Sequence, residues 1–226
     1  MRLIPLLLIV SALSAETLKV KFIPGSHWHH SFKMGFFTSH TTPQFAIWLE
    51  DSSGSFLTTL AVTKKSAESN FVSSRKSSRP SALPVWAHTR GVKAEHGNYM
   101  PSRQSPLTDA VTSASPESES TITCAIPDSL AGRNMRLFVE LNGSMDFNDY
   151  YKKDLPQSDP AYNAKVNGQP SLVFKGIIDA QMKFPDTLKI FGHGHPAGNN
   201  GDISTDLSKI TTALEIAKAI VVTEFK

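Results

Sequence analysis

Between Gln44 and Lys65 the chain alternates in a way that few folds accept. Phe45, Ile47 and Leu49 interleave with Ala46, Trp48 and Glu50, an Asp51-Ser52-Ser53-Gly54 cluster follows, and Phe56 to Val62 resumes the apolar run. A side-chain period of two on one side of a turn cluster, followed by a second short apolar run, is the pattern of a β-hairpin. Leu18 to Ile23, Thr121 to Ile126, Met135 to Leu141, Leu172 to Ala180, Gln181 to Phe191 and Ala219 to Phe225 are further strand candidates, each short and flanked by Pro, Gly, Asn or Asp. Many short strands between turn residues predict an all-β fold, a β-sandwich. One helix is expected, because Leu207, Ile210, Leu214 and Ala217 fall near helical spacing with Thr205 or Asp206 able to cap the start.

The first fifteen residues read as a secretory leader: Arg2 is positive, Leu3 to Val10 is apolar apart from Pro5, and Ser11 to Ala15 turns small. The run is too short for a permanent membrane anchor. Cleavage near Ala15 and Glu16 would leave roughly 210 residues, expected as one β-sandwich domain over 16–226 in a periplasmic or secreted protein. A 40% hydrophobic content supports a core, whereas a formal net charge of +3 is too small for a polyanion-binding surface, so nucleic acid is not an expected partner. Cys124 is the only cysteine, which excludes an internal disulfide and a thiolate cluster. Ser66 to Pro84 and Ala87 to Ser120 lack periodicity and are expected as long surface loops, functional if ordered and plainly mobile otherwise.

Several strings, read together, resemble an uncharacterised family of secreted bacterial proteins whose domain has no assigned function. They are Phe45 to Asp51, Arg79 to Trp86, Asp109 to Pro116, Asp146 to Tyr151, Gly168 to Leu172 and Thr211 to Ala213. The resemblance runs from about Phe45 to the C-terminus and implies an immunoglobulin-like β-sandwich related in style to a flagellar hook-capping domain. It also implies a setting near flavin-transferase and PepSY-type membrane proteins, and so an association with extracytoplasmic flavin or electron traffic. The expected role is that of a non-enzymatic accessory or binding protein, its partner a membrane-bound redox protein. The family supplies no established catalytic residues.

Asp109 to Pro116 also compares with the acceptor motif of covalently flavinylated proteins, D-x-x-(S/T)-G-A-(S/T)-x-(S/T). Asp109, Thr112, Ala114 and Ser115 fit, but Ser113 replaces the glycine and Glu117 stands where the final hydroxyl should receive the flavin phosphate. Flavin is therefore the weaker cofactor reading, and Thr112, Ser113 and Ser115 have an alternative as loop-shaping hydroxyls. Histidines offer a second site. His27 with His29, and His193 with His195, would each share one side of an extended strand, and together they would make a four-nitrogen site for copper or zinc. The competing reading is a pair of solvated surface turns. Oxygen-rich runs at Asp146, Asn148, Asp149 and Asp154, and at Asn199, Asn200, Asp202 and Asp206, suit calcium in principle, but neither follows the EF-hand spacing and Asx turns explain them equally. Cys124 sits in an alternating string and is expected to be an inert strand thiol. His88, Arg90 and His96 lie beside Trp86 as a possible binding rim, with Trp86 itself read as an anchor for the loop.

Overall fold

The computed structural model describes residues 16–34, 36–71, 78–108, 110–179 and 181–225, so the leader, Asp109 and the Ser-rich stretch 72–77 lie outside the described residues. Strands β1 (Thr17–Pro24), β7 (Ser120–Ala125), β10 (Asp186–Thr187) and β12 (Ala217–Phe225) form one antiparallel sheet in the order β10-β12-β1-β7. Strands β4 (Gln44–Glu50), β5 (Phe56–Thr63), β6 (Val111–Ser113), β8 (Met135–Asn142), β9 (Leu172–Ile178) and β11 (Lys189–His193) form a second, ordered β11-β9-β8-β4-β5-β6, with only the β5–β6 pair parallel. A separate hairpin, β2 (His30–Met34) with β3 (Phe37–Thr41), pairs with neither sheet. This is the all-β sandwich that the strand pattern predicts.

The period of two builds the inner core. Leu18, Val20 and Phe22 of β1, Phe45, Ile47 and Leu49 of β4, Leu137, Val139 and Leu141 of β8, and Ile220 and Val222 of β12 meet in one buried cluster. Each such side chain contributes about 1.5–3 kcal/mol on burial. Cys124 is buried in the same layer, and burial pushes its thiol up to about 12, so it is inert as expected.

Alternation in β4 does not mean a wet outer face, because all seven of its residues are buried. Ala46 and Trp48 belong to a second apolar cluster with Val62, Phe138 and Val173 on the outside of the larger sheet, covered by Phe71, Leu83, Val85, Trp86 and Met100. The long segments expected as loops are therefore partly a packed layer, carrying two short helices, α1 (Lys64–Ala67) and α2 (Pro84–Arg90). Helix α2 has Pro84 in its first turn, where a missing N–H costs nothing, and ends on Gly91 at φ 74°, a left-handed cap. Trp86 is fully buried and donates its indole N–H to Thr59 Oγ1 at 2.9 Å, which makes it the anchor that the sequence suggests.

The C-terminal helical segment takes the form of a 3-10 turn over Thr212–Glu215. Within the turn only Ala213 is buried, with Ile210 and Ile216 buried three residues to either side, whereas Leu214 is exposed. A repeat of three suits the tighter helix and not the longer one. The Gln169 side chain fixes the turn's start by accepting from the Thr211 N–H at 2.6 Å.

Candidate functional site

Helix α2 begins against a carboxylate from the sheet beneath it. Glu140 of β8 is fully buried and accepts from the backbone N–H of Val85 at 3.2 Å and of Trp86 at 2.8 Å, while Ser171 Oγ donates to its other lone pairs. The helix has no side-chain cap of its own, so Glu140 supplies the acceptor oxygens that orphan N–H groups at a helix start require. Burial raises its pKa to about 7, and the three hydrogen bonds oppose that rise. The acid thus pins α2 to β8 and, through Ser171, to the start of β9.

The same anchor draws in the chain after β11. Gly194 donates to the Ser171 carbonyl at 2.9 Å, and a Cβ at Gly194 would lie 2.7 Å from Ser171 Oγ and 2.8 Å from Pro84 Cγ. Further on, a Cβ at Gly201 would come within 2.5 Å of His88 Cβ. Only glycine lets the 194–201 loop lie this close to α2. His193 and Ser204 exchange backbone hydrogen bonds at 2.8 and 2.9 Å and close the loop's other end.

Three imidazoles gather here as a result: His88 from α2, His193 from β11 and His195 from the loop. His195 feels both others and Asp202; its pKa is lowered chiefly by burial and further by the two rings, with Asp202 opposing. It is therefore neutral at pH 7. Tautomers follow from the partners. His88 Nδ1 donates to the Pro84 carbonyl at 2.8 Å and His193 Nδ1 to the Gly194 carbonyl at 2.8 Å, so that in the neutral tautomer of either ring Nε2 is the acceptor. His195 Nδ1 instead accepts from the Ala197 N–H at 3.1 Å, so its proton sits on Nε2. Tyr99 closes one side, its ring 4.4 Å from that of His88. The face thus offers two nitrogen acceptors and one N–H donor on a frame fixed by Glu140.

The four-nitrogen metal site over His27, His29, His193 and His195 does not form. His27 and His29 lie in the turn after β1, not on a strand, and each is claimed locally: His27 Nδ1 by Glu215 at 3.1 Å, His29 by Glu117 at 3.8 Å. Among the described residues no three His, Cys, Asp or Glu side chains are grouped so as to hold a metal ion. Strand β11 ends at His193, so His195 is not its strand neighbour either. The partner that the spacing could not announce is His88, brought in by tertiary packing. His96, by contrast, accepts a backbone N–H from Asn98 at 3.5 Å and lies within electrostatic reach of Glu95.

Ser26, His27 and Glu215 do assemble a hydroxyl, an imidazole and a carboxylate, with Ser26 Oγ donating to Glu215 at 2.5 Å. Both partners address the ring through Nδ1 and the serine is bonded straight to the acid. A catalytic triad needs the serine on one ring nitrogen and the acid on the other. The group is a surface hydrogen-bond cluster.

For the flavin motif, Thr112 is exposed on β6, Ser115 accepts from Gln44 Nε2 at 3.0 Å, and Asp109 lies outside the described residues. The use of Ser115 by Gln44 fits the loop-shaping alternative. The oxygen-rich runs make turns: Asn148 accepts from the Tyr150 and Tyr151 N–H groups, Asn200 from Asp202 and Asp206 from Ser208. Comparison of the chain with family models, with curated proteins and with solved structures finds no match.

Proposed function

We propose that the chain is an exported, non-enzymatic β-sandwich that serves flavin-linked or electron-transfer systems outside the cytoplasm as an accessory or binding module, and that it meets a membrane-bound redox protein through the His88, His193 and His195 face. The observation that carries this reading is the frame beneath that face. A buried acid, a capped helix and close-packed glycines hold two partly accessible rings, His88 and His195, over the buried His193 and beside Tyr99, an arrangement that a merely solvated turn does not need. Support for export comes from the leader-like composition of residues 1–15, and the flavin-linked setting comes from the resemblance of the strings from Phe45 onward. Among the described residues no helix is long and apolar enough to cross a membrane.

The test is site-specific photo-crosslinking in the native host. A crosslinker at Asn199, exposed in the loop beside His195, should yield one dominant adduct with a membrane-bound redox protein, and one at Thr123, exposed on the smaller sheet, should not. Equal adducts from both positions, or an Asn199 adduct with no redox protein in it, would remove the reading.

A second reading rests on the acceptor Nε2 atoms of His88 and His193. Each ring is oriented by an Nδ1–H bond to a carbonyl, the second partner that metal-bound histidines commonly keep. Copper or zinc would then bind these two nitrogens, with solvent completing the shell. Micromolar binding abolished by His88→Ala and unaffected by His27→Ala supports it; binding that survives His88→Ala ends it. Covalent flavin on the Asp109, Thr112 and Ser115 loop is tested by in-gel fluorescence after co-expression with a flavin transferase, where a dark band removes it.

A further inference from the structure

The outer face of the larger sheet is covered at one end only. At the other end β9 and β11 pair so that Lys175 stands directly opposite Lys189. Opposed residues share a face at close range, and two like charges there are mutually destabilising. Among the described residues, no carboxylate is within 4 Å of either ammonium. Lys175 rests on aromatic rings instead, its Nζ 4.4 Å from the Phe191 centroid and 5.5 Å from that of Phe138.

Lys175, Lys189 and Phe191 line an open cleft of about 660 Å³, a volume in the range of small-molecule sites. Three large apolar side chains stand open on its walls: Ile177 is 59% exposed, Phe191 41% and Ile190 37%. Three acids are near. Lys175 is close enough to favour the charged form of Glu50, but Glu50 is buried and accepts from Trp48 Nε1 at 2.9 Å; Asp179 is engaged by the Gln181 N–H at 2.8 Å; Asp186 lies on β10 at the far wall. A lysine on an edge strand has a plain use in blocking sheet-to-sheet pairing, which accounts for Lys189. It does not account for Lys175, which lies inside the sheet, or for three bare apolar side chains around the pair.

We propose that this cleft binds a small aromatic anion. The acidic group sits between Lys175 and Lys189, relieving their repulsion, and the ring lies against Phe191 and Ile177. The site is separate from the histidine face and does not depend on its role.

Fluorescence titration of the purified full-length protein with anilinonaphthalenesulfonate, an aromatic anion, tests it against the neutral N-phenylnaphthylamine. The anion should bind saturably and on the order of tenfold more tightly than the neutral probe, a preference that weakens with added salt. In the Lys175→Met, Lys189→Met variant, whose methionines keep the apolar stems, that preference should fall several-fold, Lys183 being the lysine left on the cleft lining. Circular dichroism checks the fold, and Lys189→Glu at the exposed edge gives the same test if the double variant does not fold. Equal affinity for the two probes in the wild type, no saturable binding, or an undiminished preference in the folded variants would overturn the proposal. His195→Ala should leave the titration unchanged, which separates this site from the histidine face.

Discussion

The two faces of the larger sheet are packed by different means. Inside, the cluster around Phe45, Ile47 and Leu49 is met mainly by side chains of a regular partner sheet, with loop residues such as Trp28, Tyr151 and Ile210 filling its ends. Outside, the cluster around Trp48 and Phe138 is covered by irregular chain that needs individual fastenings. Those fastenings are costly groups: Glu140, fully buried, and Arg79, 7% exposed, which donates to Ser144 and to the Val166 carbonyl and has its pKa lowered to about 10 by burial. Arg79 also lies 5.0 Å over the Phe71 ring, so among the described residues its charge is held by carbonyl, hydroxyl and π-face. A sandwich can stand on its inner layer. The outer layer is the one that brings together His88, His193 and His195.

The sharpest way to break this comparison is to make one large cavity in each layer. Trp86→Ala and Leu49→Ala both remove fully buried side chains and should cost about 3–5 and 2–5 kcal/mol respectively, read as shifts in the denaturant midpoint. Their hydrogen-exchange patterns should differ. Leu49→Ala should lower protection across both sheets, whereas Trp86→Ala should release α2 and the 194–201 loop while β1, β8 and β12 stay protected. Uniform loss in both variants would mean that the two layers form one cooperative unit.

Legibility in the sequence follows the same division. The inner layer is written in a local period, so β1, β4, β5, β7, β8, β9 and β12 fall on the expected runs. Gln181 to Phe191 resolves into two short strands because the chain changes sheets at Leu188, whose N–H donates to Ile220 in the smaller sheet. Nothing local says that Ala46 and Trp48 are covered, since an alternating string reads the same whether its second face meets water or a loop. Helix α2 is bracketed by Pro84 and Gly91, a start and stop that can be read, but seven residues are too few for a helical period to show. His193 and His195 could be singled out by eye; their joining with His88 could not, because it depends on glycines whose need for close approach appears only when the loop is docked.

Glu140 offers an intermediate effect with a pH signature. Glu140→Gln keeps the shape but exchanges one acceptor for a donor, so that one of the Val85, Trp86 and Ser171 donors loses its partner, at about 1–3 kcal/mol. The sign of the pH dependence is set by the raised pKa. An unfolded glutamate ionises near 4.5, the folded one near 7, so between these values the native state binds more protons than the unfolded state. Its contribution is fully present below 4.5 and is lost as pH rises through about 7. Wild-type stability should accordingly fall across that window relative to Glu140→Gln, in midpoints measured from pH 4 to 8. Parallel curves would show that Glu140 does not titrate with folding.

The smallest effect, under about 1 kcal/mol, belongs to His195, and it tests the face itself. Its pKa is lowered, so it favours the folded state above the unfolded value near 6.5, and that contribution is lost as pH falls through the folded pKa. His195→Asn should remove this slope. Nitrogen chemical shifts at pH 7 give a finer reading: His88 and His193 should carry the proton on Nδ1 and His195 on Nε2, because the first two meet carbonyls and the third meets the Ala197 N–H. Coupling between the rings adds one more consequence. Replacing His88 should raise the pKa of His195 by removing a neighbouring positive charge from its acidic titration, while replacing Asp202 should lower it. A His195 that titrates alike in both variants would mean that the outer layer does not hold the three rings within electrostatic reach, and the difference between the two faces of the sheet would then be one of packing alone.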